Sequence, residues 1–151
     1  MTDLKAVEAF FLDAVQHTYA ANAAKTSVAE LPGSKVCRYA RGEFLYVDIW
    51  FSSKNKSFGQ TTIFHRCKPV WGMQYRGFWT GNDERVIPFQ KRALLAATEF
   101  VGGRGPHKFV EGTLVYRNFP LKKGFDDFAG EEEIREGSTL LFWHSYSGLA
   151  L

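Results

Sequence analysis

Apolar residues first recur at spacings of three and four: Leu4, Val7, Phe11, Ala14 and Val15 share one side of a helix that Thr2 or Asp3 can cap. The helix is predicted to end within residues 19–24, and Leu31-Pro32-Gly33-Ser34 reads as a turn. From there the period changes to two. Strands are predicted over 35–40, 43–51, 58–65 and 69–78. Between residues 44 and 50, one alternating set is Phe44, Tyr46, Asp48 and Trp50; the other is Leu45, Val47 and Ile49. The aliphatic set is the expected core face, so Leu45 and Val47 should be buried together with Phe11, Ile63 and Val70. A second helix follows, with Asn82 or Asp83 as cap. Pro88 either opens that helix or follows a separate turn. Its stripe is Phe89, Ala93, Ala96, Ala97 and Phe100, ending before Gly102-Gly103. Strands over 109–118, 130–135 and 139–147 complete the chain. This order predicts an α+β fold: a single domain over 1–151, with two helices packed on one face of a curved antiparallel sheet.

The pattern also repeats. Gly59-Gln60, Ile63, Val70, Tyr75 and Gly77 recur 71 residues later as Gly130-Glu131, Ile134, Leu141, Tyr146 and Gly148. Upstream, Gly42, Phe44, Leu45 and Tyr46 recur as Gly112, Leu114, Val115 and Tyr116 at an offset of 70. Such spacing predicts internal duplication of an α-β-β-β unit, with pseudo-repeats over 1–80 and 81–151. It also predicts that Tyr75 and Tyr146 occupy related positions.

Composition narrows the functional classes. Aromatic residues make up 16% of the chain, which favours β structure and leaves material for an aromatic-lined pocket. The net charge of +3 is mild and the basic residues are scattered, which argues against nucleic acid as a partner. No apolar run approaches the roughly 18 residues that a membrane helix needs. Two cysteines without a signal peptide point to a reducing, cytoplasmic compartment. The segment Gly102 to Pro106 lacks phosphate-cradling spacing and reads as a plain loop.

Several segments together resemble a bacterial domain family of unknown function, whose members stand alone or follow a helix-turn-helix of the XRE regulator type. The resemblance is carried by Thr18-Tyr19-Ala20, Tyr39-Ala40-Arg41-Gly42, Tyr46-Val47-Asp48, Phe58-Gly59-Gln60, Pro69-Val70-Trp71-Gly72-Met73-Gln74-Tyr75, Tyr116-Arg117-Asn118, Phe128-Ala129-Gly130-Glu131 and Tyr146-Ser147-Gly148. Gln74 stands where asparagine is commoner, and Leu149 where a second glycine is usual. The resemblance implies a compact stand-alone module and transfers no catalytic residue.

The candidate chemistry is therefore read from the residues. His65 and Cys67 share a strand face, but two ligands fall short of the roughly four of a structural metal site, so no metal or other cofactor is expected. His144 and Ser145 are adjacent on a strand and point to opposite faces, which removes a triad with Asp48. Asp48 and Glu131 are carboxylates suited to acid and base roles if a cleft brings them together. Glu131 stands out because its counterpart, Gln60, carries no charge. Large rings alternate along the strands, above all Trp71, Tyr75 and Tyr146. The expected ligand site is an aromatic cleft formed by these three with Asp48, with Arg117 or Glu131 orienting the bound molecule. Three classes follow: a small-molecule effector-binding module, an enzyme using Glu131 and Asp48, and a protein-interaction domain.

Overall fold

The computed structural model describes residues 2–151. The first helix, α1 (Leu4–Val15), is capped by Asp3, whose Oδ1 accepts from the Lys5 amide at 3.0 Å. It ends with its apolar stripe, before the expected 19–24, and is followed by a single 3-10 turn, Tyr19–Ala21. Five strands follow: β1 (Thr26–Val28), β2 (Leu31–Arg41), β3 (Phe44–Ser53), β4 (Lys56–His65) and β5 (Lys68–Trp79). After α2 (Val86–Leu95) come β6 (Lys108–Glu111), β7 (Leu114–Gly124), β8 (Asp127–Glu136) and β9 (Thr139–Ala150). The segment 31–34 is not the expected turn, because it opens β2. Its Gly33 adopts φ 83°, and the β1–β2 register shifts beside it. Pro88 lies within the first turn of α2, where an amide hydrogen has no intrahelical acceptor to lose.

All nine strands form one antiparallel sheet in the order β1-β2-β3-β4-β5-β9-β8-β7-β6. The last strand pairs with β5, placing each half of the chain on its own side of the central β5/β9 pair. Tyr75 lies opposite Tyr146 in that pair. On the neighbouring strands Gly59 faces Tyr75 and Gly130 faces Tyr146. A Cβ at either glycine would come within 2.7 Å or 2.5 Å of the tyrosine oxygen, so each ring needs a bare backbone beside it. The Gly-Tyr spacing in both halves therefore has a packing cause.

Both helices cover the same sheet face. Phe11 of α1 packs on Trp71 at 5.0 Å, and Phe10 stacks on Phe44 at 5.1 Å. Val86, Phe89 and Ala93 of α2 join Tyr116, Ile134 and Phe142 in a second cluster. Each fully buried ring or branched side chain contributes about 1.5–3 kcal/mol of transfer free energy. Phe11 and Ile63 are buried as expected. Leu45, Val47, Ile49 and Val70 are only half-buried, which corrects the expected orientation of β3. Its inner set is Tyr46, Asp48 and Trp50. Alternation separates the two sets, but the helices decide which one is covered. No helix among the described residues is long and apolar enough to cross a membrane.

Candidate functional site

Polar groups lie deep in this inner face. In the first half, Asp48 Oδ1 accepts from Tyr75 Oη at 2.8 Å and from Thr61 Oγ1 at 3.1 Å. In the second, Glu132 Oε2 accepts from Tyr116 Oη at 2.6 Å, and Tyr146 Oη donates to Asn118 Oδ1. Glu132 is wholly buried. Between the halves sits Arg104, whose Nη2 donates to Glu132 Oε1 and lies 3.2 Å from His144 Nδ1. Its guanidinium also lies 4.7 Å from the centre of the Tyr75 ring, within cation–π range.

Arg104 comes from the glycine-rich segment after α2, which is irregular, as expected, but buried. The backbone there runs against Tyr116, Asn118 and Tyr146. A Cβ at Gly105 would lie 2.4 Å from Tyr116 Oη, and one at Gly103 would lie 2.6 Å from Tyr146 Oη. Glycines on both sides of Arg104 thus let the chain approach closely enough to deliver its side chain.

Burial sets the protonation of these groups. Desolvation pushes Asp48 up to about 6, against the pull of Tyr75, Arg104 and Thr61. Burial, followed by the nearby Arg104 charge, holds His144 well below the ordinary histidine range, so it is neutral. Burial raises Tyr75 well above the usual phenol range, with Asp48 adding to it, which keeps Tyr75 a donor. Burial opposes the Arg104 charge, but Glu132 overrides it and the guanidinium stays protonated.

Arg104 and His144 border a cavity of about 170 Å³ between the sheet, α2 and the 3-10 turn. Trp50, Tyr75, Trp79 and Phe142 supply its aromatic walls, and Tyr19 bridges to α2 by donating to Gln90 Oε1 at 2.9 Å. Lys25, Lys35 and Lys91 stand around it. Among the described residues none of the three forms an ion pair with a carboxylate.

Asp48 and Tyr75 are hydrogen-bonded partners in this network. Trp71 is fully buried, with Nε1 donating to the Phe125 carbonyl at 2.9 Å and its ring stacked on Phe125 and Phe128. Tyr146 is buried beside Asn118, whereas Arg117 and Glu131 are exposed. Strand alternation puts Glu131 on the outer face, where its carboxylate accepts from Trp143 Nε1 at 3.2 Å, so Asp48 and Glu131 share no cleft. An outer hollow of about 540 Å³ is bordered by Glu131, Tyr75 and Tyr146. It is the larger of the two but lacks the buried charges, so the inner cavity is the candidate site. His65 Nδ1 lies 3.0 Å from Thr2 Oγ1, and no three His, Cys, Asp or Glu residues cluster as metal ligands among the described residues.

Arg104, Glu132 and His144 were not singled out as ligand-site residues by spacing, whereas Asn118 stood beside Arg117 among the pocket candidates. The available signal for Arg104 was a lone arginine among glycines, Gly102-Gly103-Arg104-Gly105, which marks close backbone approach. For Glu132 it was the exchange with Thr61 at the 71-residue offset.

These features define an α+β domain with a nine-stranded antiparallel sheet and a buried charged network beside an aromatic cavity. Residues 48–151, more than half of the chain, match the family described as Domain of unknown function (DUF5680), and the chain belongs to that family. The matched segment holds Asp48, Ser57, Tyr75, Lys91, Arg104, Glu132 and His144; α1 and the 3-10 turn precede it. No curated protein and no solved structure matches the chain.

Proposed function

We propose that this domain is a small-molecule binding module whose ligand occupies the inner cavity. The observation that carries the reading is the union of aromatic walls with a buried guanidinium held by Glu132 and His144. Ligand sites combine apolar lining with a few fixed polar groups in this way. An effector-binding role accords with the regulator context implied by the family resemblance, which is an argument by analogy. Internal duplication belongs to the same proposal. The two residue offsets and the Tyr75–Tyr146 pairing support it, and the cavity then lies between two halves of common origin.

A thermal-shift screen against metabolites tests the binding reading. A ligand at a hundred times its dissociation constant should stabilise the fold by about 2.7 kcal/mol. The shift should be lost in Trp79→Ala, which alters only the inner cavity, and kept in Glu131→Gln, which alters only the outer hollow. The reverse pattern moves the site to the outer face. If no compound shifts the transition, the protein-interaction reading takes precedence. That reading draws on Phe58, Phe119 and Leu121, which are 60%, 46% and 81% exposed.

A further inference from the structure

Building on the proposed use of the inner cavity, we infer that its ligand is a small ring-bearing carboxylate, and that Ser52 and Ser57 receive the carboxylate as paired hydroxyl donors. The two serines lie directly opposite each other in the β3–β4 register, and both border the cavity. They stand on the inner face, in alternation with Trp50 and Gly59.

The polarity of each hydroxyl follows from what lies behind it. An arginine side chain has donors and no acceptor. His144 Nδ1, 3.2 Å from Arg104 Nη2, must therefore accept, and the single proton of the neutral imidazole resides on Nε2. Glu132 does not compete for a proton on Nδ1, since its Oε1 is 3.8 Å away. His144 Nε2 lies 3.3 Å from Ser57 Oγ, so the imidazole donates and Ser57 accepts. The Ser57 hydroxyl proton is then left for another acceptor. Ser52 has the same arrangement, because its Oγ accepts from Lys35 Nζ at 2.6 Å. Two neighbouring hydroxyls thus both accept from the protein and both have a proton to donate. A carboxylate, with two acceptor oxygens and no donor, matches that pair.

The same tautomer removes the nucleophilic alternative. Serine activation needs an unprotonated Nε2 to take the hydroxyl proton, and here Nε2 already holds one. Arg104 and His144 are positioning residues: they set the direction in which Ser57 donates. Charge and size point the same way as the hydroxyls. Lys25, Lys35 and Lys91 surround the cavity without carboxylate partners among the described residues, and Lys91 donates to Asn22 Oδ1 at 2.7 Å while lying over the Tyr19 ring. The volume is of the order of cavities that take a single benzene ring, and the walls are aromatic.

The test is calorimetric titration of the full chain with single-ring carboxylates, benzoate among them, and with their primary amides. The acids should bind and the matched amides should bind at least about tenfold more weakly, since hydrogen bonds to an ionised partner are the stronger kind. The Ser52→Ala, Ser57→Ala double variant should weaken acid binding roughly 10- to 100-fold, and Lys35→Gln should weaken it less. Nitrogen chemical shifts of His144 should report the Nε2–H tautomer. Equal binding of acids and amides would overturn the carboxylate assignment while leaving the cavity a binding site. Absence of binding by the acids at millimolar concentration would overturn the carboxylate assignment, the binding-module reading being decided separately by the metabolite screen, and an Nδ1–H tautomer would overturn the donor relay.

Discussion

The two sides of the β5/β9 pair each bury one carboxylate against a tyrosine, but at positions that do not match. Tyr75 donates to Asp48 in the first half, and Tyr146, 71 residues on, donates to Asn118, 70 residues beyond Asp48. Tyr116 donates to Glu132, while at the matching positions of the first half stand Tyr46 and Thr61. Each half thus buries one carboxylate, but at a different member of the tyrosine frame. Glu132 has a guanidinium in contact, whereas among the described residues no salt bridge reaches Asp48. Burial then dominates at Asp48 and raises it to about 6. Matching tyrosine positions can thus accompany a firmly paired ion on one side and a titratable group on the other. The position of one loop arginine makes the difference.

The comparison breaks most severely at Glu132. Glu132→Thr installs the first half's residue in the second and leaves Arg104 buried without its anion. Urea unfolding should show a loss of about 3–5 kcal/mol, of which a second change, Arg104→Met, should restore a large part. Failure of the second change to restore stability would show that Arg104 does more than balance Glu132.

Asp48→Asn makes the opposite exchange and should stabilise the protein. An acid whose folded value, about 6, lies above its ordinary 3.8 is protonated more readily when folded. Folding therefore takes up a proton between those values. The stability contributed is complete below about 3.8, falls as pH rises towards about 6 and stays low above it. At pH 8 the variant should gain on the order of 1–3 kcal/mol, and this part of the pH profile should flatten. Thermal unfolding from pH 3.5 to pH 8 checks both outcomes.

Two smaller effects sharpen the contrast between faces. Leu45→Ala removes a half-buried outer side chain and should cost roughly 1 kcal/mol, against about 3–5 for Trp71→Ala in the inner core. Comparable denaturation midpoints for the two would reverse the assignment of the faces. Glu131→Gln copies Gln60 onto an exposed position and should change stability by less than about 0.5 kcal/mol.

Much of this was legible before any coordinates. The three-four spacing from Leu4 to Val15 marks α1, the period-two runs mark the long strands, and the Gly59-Tyr75 and Gly130-Tyr146 intervals record a cross-strand contact present in both halves. These are local or single-offset properties, written in spacing alone. The comparison of halves also drew attention to β8. It stopped at Glu131 and Gln60, one residue short of the buried exchange of Glu132 for Thr61.

Tertiary structure decided which face of β3 was covered, because helices pack against that strand from outside its own sequence. Aliphatic residues Leu45, Val47 and Ile49 look more like core than a row containing Asp48, until tyrosine and threonine hydroxyls satisfy the carboxylate. It also decided the chemistry of the site. Arg104, His144 and Ser57 lie on a loop and two strands distant in sequence, and the donor direction depends on distances near 3 Å that residue order does not encode. Hydrophobic period determines elements because it acts between neighbours along the chain. The charge state and hydrogen-bond polarity of a buried group depend on whatever the fold brings beside it.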